Sequence, residues 1–119
     1  MRGADRPLVA RFVTAFDHVR ASSIVVAELE YGAVKSGVTS QRTRLDALRS
    51  TLPLEPFTLA DAAEFGRLRT LLARRGELIG PYDLLIAAQA LRLGATLITH
   101  NLREFSRVPG LKIEDWQSA

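Results

Sequence analysis

An apolar helix followed directly by an apolar strand is the feature that most restricts the fold of this chain. Residues 81–105 read PYDLLIAAQALRLGATLITHNLREF, with an acid, Asp83, at the head of the helix and a polar cluster just past a strand expected at residues 96–99. A helix that precedes a parallel strand runs antiparallel to it, so the start of the helix and the end of the strand share one edge of the sheet. We therefore expect Asp83 to lie near residues 99–101.

The rest of the chain alternates between helical and extended patterns, which predicts an α/β fold with a parallel sheet flanked by helices, in a single domain over residues 1–119. The first expected element is a helix over 5–20, with Asp5 as its cap and Leu8, Phe12, Phe16 and Val19 on one face. A strand at Ile24–Val26 then leads into a helix that ends near Gly37. The remaining expected elements are a helix over 40–52, an extended piece over 52–57, a helix from Thr58 to Gly76, and an edge segment over 110–116, whose Trp116 packs on the body.

Composition excludes several classes of protein. The 119 residues include no cysteine, and neither a secretion signal nor an apolar run long enough to span a bilayer is present, so we expect a cytoplasmic protein without a membrane association. Of the 16 basic residues, 14 are arginine, and guanidinium groups bind phosphate well. Base composition of the genome explains this arginine content equally well, and Arg74 and Arg75 fit either RNA binding or a helix C-terminus.

Acidic residues from distant parts of the sequence converge on the edge of the sheet where Asp83 is expected. Glu28 comes two residues after the predicted strand at Ile24–Val26, and Glu104 follows the polar cluster as a third acid. Crowded carboxylates repel one another and need a cation or a shared proton. Oxygen ligands suit Mg²⁺ or Mn²⁺, and such a site supports metal-assisted hydrolysis of phosphodiesters. No motif for a cysteine nucleophile, a GxSxG serine, a P-loop or an HExxH zinc site competes with this interpretation.

Each of these residues also has an ordinary structural explanation. Asp83 stands in the first turn of its helix, where a carboxylate favours the dipole and caps amides. Glu28 and Glu30 fit solvated helix positions, Glu104 fits an ion pair with a neighbouring arginine, and Asn101 fits a cap of the following turn. The order and spacing of the whole set therefore carry more weight than any one member.

Three motifs in this order resemble one known family. The segments VVAELEYGA, GPYDLLIAA and THNLREF, and the spacing between them, are similar to the PIN-domain ribonuclease toxins of the VapC type across nearly the whole chain. The resemblance implies a parallel sheet flanked by helices, Mg²⁺ or Mn²⁺ in an acidic pocket, and endoribonuclease activity often directed at tRNA. It also implies a cognate antitoxin that inserts into the toxin, and a homodimer.

The resemblance carries over to four residues. Glu28 matches the Glu of the AEL motif, Asp83 the Asp of the PYD motif, and Asn101 and Glu104 the polar positions of NxREF. These four are the expected catalytic residues, with Asp83, Glu28 and Glu104 as the expected metal ligands. In many relatives an Asp stands where this chain has Asn101, so Glu104 is expected to supply that charge.

The front of the chain departs from the family. Such toxins open with an apolar strand ending in Asp-Thr-Asn, whereas this sequence starts at Met1-Arg2-Gly3. We expect the central strand and the first metal-binding Asp to be absent, either because the natural protein is longer or because a shortened form pairs its remaining strands directly or borrows one. The alternative function is then a catalytically impaired binding module that engages antitoxin or self-associates.

Overall fold

The computed structural model describes residues 12–15 and 18–115. Helices flank one five-stranded sheet, so the α/β class predicted from the sequence is confirmed. Within the described ranges, no helix is long and apolar enough to cross a membrane. The elements in chain order are β1 (Phe12–Ala15), β2 (His18–Ser22), α1 (Ser23–Ser36), α2 (Thr39–Thr51), β3 (Leu54–Glu55), α3 (Leu59–Arg74), α4 (Pro81–Leu93), β4 (Thr96–Ile98), α5 (Leu102–Phe105) and β5 (Lys112–Glu114).

The strand order is β3-β2-β1-β4-β5, with β1 in the centre. β2 pairs with β3 in parallel and β4 pairs with β5 in parallel, whereas β1 runs antiparallel to both of its neighbours. Because β1 opposes both β2 and β4, those two strands point the same way. Their carboxyl ends therefore lie at the same edge of the sheet, as the sequence predicted.

The helix predicted over residues 5–20 is wrong where the structure describes that segment. Residues 12–15 and 18–22 form an antiparallel pair of strands, with Phe12 opposite Ala21 and Ala15 opposite His18. The central place expected to be empty is filled by β1, whose Phe12 also pairs with Ile98 of β4. Backbone hydrogen bonds from β1 to β2 on one side and to β4 on the other determine the conformation of this segment. The spacing of apolar residues that suggested a helix also fits side chains that alternate along a strand. The predicted roles of Asp5, Leu8, Phe16 and Trp116 fall outside the described residues.

The strand predicted at Ile24–Val26 is also wrong, since these residues form the first turn of α1. Ser22 ends β2, and its side-chain oxygen accepts a hydrogen bond of 3.1 Å from the backbone N–H of Ile24, which starts the helix. Val25 is buried and Ile24 packs against the core, so the β-branched run is used for packing on the helix. The helix ends at Gly37, whose φ of 66° is the left-handed conformation that glycine adopts most easily.

The helix α4 and the strand β4 lie where the sequence placed them. Pro81 opens α4, Gly94 ends it with a φ of 64°, and β4 begins two residues later. Most of α4 is buried, and it packs on β4, α1 and α3. The shared core consists of Val25, Leu68, Leu72, Ile79, Leu84, Ile86, Ala87, Ala88, Ala90, Leu97, Phe105 and Val108.

A charged contact joins α3 to the far end of α4. Asp61, whose side chain is fully buried, accepts hydrogen bonds from Arg92 at 2.5 and 3.1 Å. It also accepts a bond of 2.8 Å from the backbone N–H of Thr58, in the capping box that starts α3. Close by, the Gln89 amide of α4 donates to the backbone oxygens of Glu55 and, at 3.2 Å, of the residue after it. These bonds hold α3 and the end of β3 against α4.

Candidate active site

The first turn of α4 places Asp83 at the carboxyl edge of β4. Gly80 is the last extended residue before the helix, and Pro81 fixes the backbone of the first helical position. Asp83 is 9% exposed, so its carboxyl group lies beneath the surface, at the helix N-terminus where a negative charge is favoured. The neighbours of this carboxyl come from the segment that follows β4.

Glu104, on α5, lies against Asp83. Its Oε2 accepts a hydrogen bond of 3.0 Å from the backbone N–H of Gly80, and its Oε1 accepts one of 2.7 Å from the Asn101 side chain. A side-chain hydrogen bond with the Asp83 carboxyl is the largest effect on the pKa of Glu104, which it lowers. The Gly80 amide, the Asn101 side chain and the Arg107 charge lower this pKa further, and together they outweigh partial burial. Glu104 and Asp83 therefore form a hydrogen-bonded carboxyl pair.

Asn101 is oriented toward Glu104 by the end of β4. Its backbone N–H donates a hydrogen bond of 3.0 Å to the hydroxyl oxygen of Thr99, which is buried. Asn101 stands at the N-cap of α5, yet its side chain makes no capping bond and binds Glu104 instead. The interpretation of Asn101 as a simple cap is thus replaced by a contact within the acidic site.

Glu28 occupies the second turn of α1 and lines a groove of about 420 Å³ with Ala27, Tyr31 and Tyr82. Tyr82 directly precedes Asp83 on α4, so one wall of the groove comes from the helix that carries Asp83. In the part of the chain that the structure describes, no three Asp, Glu or His side chains form a cluster able to hold a metal. The structure therefore brings Asp83, Glu104 and Asn101 together, and places Glu28 on the groove with Tyr82.

Glu30 belongs to a different surface. It accepts hydrogen bonds from Arg42 at 2.8 and 3.0 Å and from Arg49 at 3.0 Å, which tie α1 to α2. The Arg42 hydrogen bond is the main reason that the pKa of Glu30 is lowered. Glu30 is thus a structural residue.

His100 also lies outside the site, and its Nδ1 is 3.2 Å from the Asp115 carboxylate.

The donor set at Asp83 and Glu104 fits a hard divalent cation. Mg²⁺ and Mn²⁺ prefer oxygen ligands, and Mg²⁺ is commonly held by one or two carboxylates with water and substrate phosphate completing its shell. Two carboxyl groups close enough to share a proton offer the same space to a cation, which would take the place of that proton. The amide oxygen of Asn101 belongs to the same chemical class of ligand.

Sequence reasoning missed three kinds of contributor to this region. Gly80 supplies an N–H to Glu104, Thr99 fixes Asn101, and Tyr31 and Tyr82 line the groove with Glu28. A Cβ at Gly80 would lie 3.8 Å from Asp83 and 3.9 Å from Glu104, so the backbone passes close to both acids. The Gly-Pro pair before Asp83 was the available signal, because the residue before a proline adopts extended backbone and so stands outside the helix.

Comparison with known proteins decides the family. The family model described as the PIN domain matches residues 2–111. This chain belongs to the PIN-domain family. Among its relatives, ribonuclease VapC2 of Rickettsia felis is 43% identical over 82% of this chain and 74% of its own. The tRNA(fMet)-specific endonuclease VapC of Salmonella typhimurium is 42% identical over 80% of this chain and 73% of its own.

A solved structure shows the same fold for this PIN domain. DNA-bound VapBC from Salmonella typhimurium superimposes with a TM-score of 0.78 at 41% identity, covering 82% of this chain and 74% of that one. The resemblance recognised from the three motifs is therefore confirmed, and the relatives are ribonucleases by name.

Proposed function

We propose that this PIN domain is a metal-dependent endoribonuclease, the toxin of a toxin–antitoxin pair. The observation that carries the proposal is the contact between the carboxyl groups of Asp83 and Glu104 at the carboxyl edge of β4. Ribonuclease relatives at about 40% identity support the reaction class. The reaction is hydrolysis of an RNA phosphodiester bond, and tRNA is the substrate class that the relative from Salmonella typhimurium favours.

In this proposal Asp83 and Glu104 would hold one Mg²⁺ or Mn²⁺ ion, Asn101 orients Glu104, and Glu28 faces the substrate from the groove. The ion, when bound, lowers the pKa of a water and stabilises charge that develops on the phosphate. Gly80 and Asn101 donate to Glu104 and keep it ionised and correctly oriented for the cation. Burial of Asp83 limits competition from bulk water.

A cognate antitoxin is the expected protein partner. The structural relative from Salmonella typhimurium is a VapBC complex bound to DNA, and that assembly supports a similar partner for this PIN domain. Homodimerisation and a cytoplasmic location, where the RNA substrate would be met, are part of the same proposal.

The test is cleavage of tRNA and of an unstructured RNA by the purified protein, with Mg²⁺ and with EDTA. We expect cleavage that EDTA abolishes, and a loss of at least about 100-fold in Asp83→Asn and in Glu104→Gln, the range for removing a group that stabilises developing charge. Asp46→Asn is the matched control, because Asp46 is an exposed carboxylate on α2 paired only at the surface with Arg42. Cleavage that persists in an Asp83→Asn, Glu28→Gln double variant rejects the nuclease assignment.

The second candidate is the impaired binding module. The observation in its favour is that the described residues bring two carboxylates into direct contact, and form no cluster of three. Absence of metal-dependent cleavage by the purified protein, together with retained binding to an antitoxin, would favour the module over the enzyme.

A further inference from the structure

Two tyrosines are exposed on the groove that Glu28 lines. Tyr31, on α1, is 67% exposed and Tyr82, at the start of α4, is 59% exposed. They line the same groove of about 420 Å³, together with Ala27 and Glu28. The groove thus presents two aromatic rings from different helices beside a single acidic side chain.

These rings contribute little to the folded core. Neither tyrosine belongs to the core cluster, although tyrosine normally buries a large area when it serves stability. The Nζ of Lys35 lies 5.7 Å from the centroid of the Tyr31 ring, a contact that is weak at an exposed site. A ligand that covers these rings would therefore gain their apolar area without disturbing the fold.

The chemistry of the groove fits the bases of RNA better than its phosphates. Aromatic rings stack with any nucleobase, and a carboxylate such as Glu28 accepts hydrogen bonds from base amino groups while it repels phosphate. The ammonium group of Lys35 beside Tyr31 offers a partner for the backbone of the same strand. A groove that binds a peptide does not need aromatic rings for bases together with an ammonium group for phosphate.

We propose that Tyr31 and Tyr82 are stacking platforms for unpaired bases of a single-stranded RNA segment, which they position against the Asp83–Glu104 pair. Tyr82 is the residue before Asp83 on α4 and shares the groove with Glu28, so a base held on its ring lies against the helix that carries Asp83. This inference rests on the proposed ribonuclease function and adds to it two residues that bind and position the substrate. Both tyrosines are positioning residues.

The test measures the Kd for a fluorescein-labelled, unstructured RNA oligonucleotide in EDTA, where no cleavage is expected. Tyr31→Ala and Tyr82→Ala should each weaken binding by about 5- to 150-fold, the factor that corresponds to ~1 to 3 kcal/mol for one stacked base. Tyr31→Phe and Tyr82→Phe keep the ring and should bind as the natural protein does. Leu59→Ala is the matched control, because Leu59 is 90% exposed and lies outside the groove lining. An oligonucleotide of abasic residues should bind the natural protein and the Ala variants equally.

Each further outcome overturns a defined part of the reasoning. If the natural protein cleaves RNA but the Ala variants bind as tightly as it does, the stacking inference fails and the nuclease assignment stands. If the Phe variants lose as much affinity as the Ala variants, the hydroxyl groups matter and stacking is rejected. If the Ala variants keep RNA affinity but lose a protein partner, the groove is a protein interface. If the natural protein neither binds nor cleaves RNA, the proposed function fails together with the inference.

Discussion

Replacing Arg92 by methionine should destabilise the fold by leaving Asp61 without its cationic partner. Asp61 is fully buried and accepts two hydrogen bonds from Arg92, so the variant leaves a carboxylate inside the protein whose remaining hydrogen bonds come from Thr58. Removal of one partner from a buried pair costs ~3 to 5 kcal/mol. The Thr58 bond and the N-terminal position of Asp61 on α3 favour the lower end, about 3 kcal/mol, because they stabilise the charge that remains.

The assay is urea denaturation followed by circular dichroism, with thermal melts in parallel. A loss of about 3 kcal/mol is a large share of the ~5 to 15 kcal/mol typical of a domain, and should lower Tm by roughly 10 °C. Arg67→Met is the control, because Arg67 pairs with Glu64 on the exposed face of α3 and exposed pairs contribute about 0 to 1 kcal/mol. In a double-mutant cycle with Asp61→Asn, the two changes should be strongly non-additive.

The pH dependence gives an independent check. Burial opposes ionisation of Asp61, but hydrogen bonds from Arg92 and Thr58 outweigh it and hold the pKa of Asp61 below its ordinary value. A carboxylate with a lowered pKa in the folded state contributes stability that is present above the unfolded pKa and is lost as pH falls through the folded pKa. Without Arg92 the buried carboxylate takes up its proton at a higher pH than in the natural protein, so the difference in stability between the two proteins should shrink as the pH falls through the acid range. A destabilisation under 1 kcal/mol, or one equal to that of Arg67→Met, would refute this account.

Three further predictions concern the site and the helix ends. Asn101→Ala removes a donor to Glu104 and should raise the pKa of Glu104. It should also lower cleavage by about 10-fold, the lower end of the effect of removing a group that orients a metal ligand. The pKa of Glu104 is measured by NMR titration of its carboxyl carbon, and an unchanged pKa contradicts the prediction. Thr58→Ala removes the capping bond to the backbone N–H of Asp61 and should cost about 1 kcal/mol in urea denaturation, with Thr70→Ala in the same helix as control. Gly37→Ala places a Cβ at a φ of 66° and should also cost about 1 kcal/mol, whereas Gly66→Ala, inside a helix, should stabilise the protein.

The sequence predicted the C-terminal half of the fold well because its signals are local. Pro81, Thr58 and Gly76 mark helix ends by their own backbone chemistry, and the apolar content of α4 and β4 leaves burial as the only stable arrangement. Once β4 and α4 are fixed, the proximity of Asp83 to the segment after β4 follows from the direction of the chain. The contact with Glu104 is therefore the part of the site that could be expected without a structure.

The N-terminal part was mispredicted because its conformation depends on distant partners. The backbone of Phe12 is held by Ala21 on one side and Ile98 on the other, and no pattern within residues 5–20 encodes the second of these. The run Ile24–Val26 has a high strand propensity, but the Ser22 cap and packing of Val25 place it on a helix. For the same reason Glu28 lies in the second turn of α1 and not just past the end of a strand, as was expected. The exposed tyrosines left no signal because exposure is a property of the assembled surface.

The pairing of Phe12 with Ile98 has a consequence for how the protein is made. The centre of the sheet joins residues separated by most of the chain, so it closes only after β4 has left the ribosome. Asn101 and Glu104 follow β4, and Asp83 meets them only when that strand is seated. A nascent chain interrupted before this point carries none of the assembled acidic site. In the proposed function, cleavage of RNA therefore begins only once β4 is seated against β1.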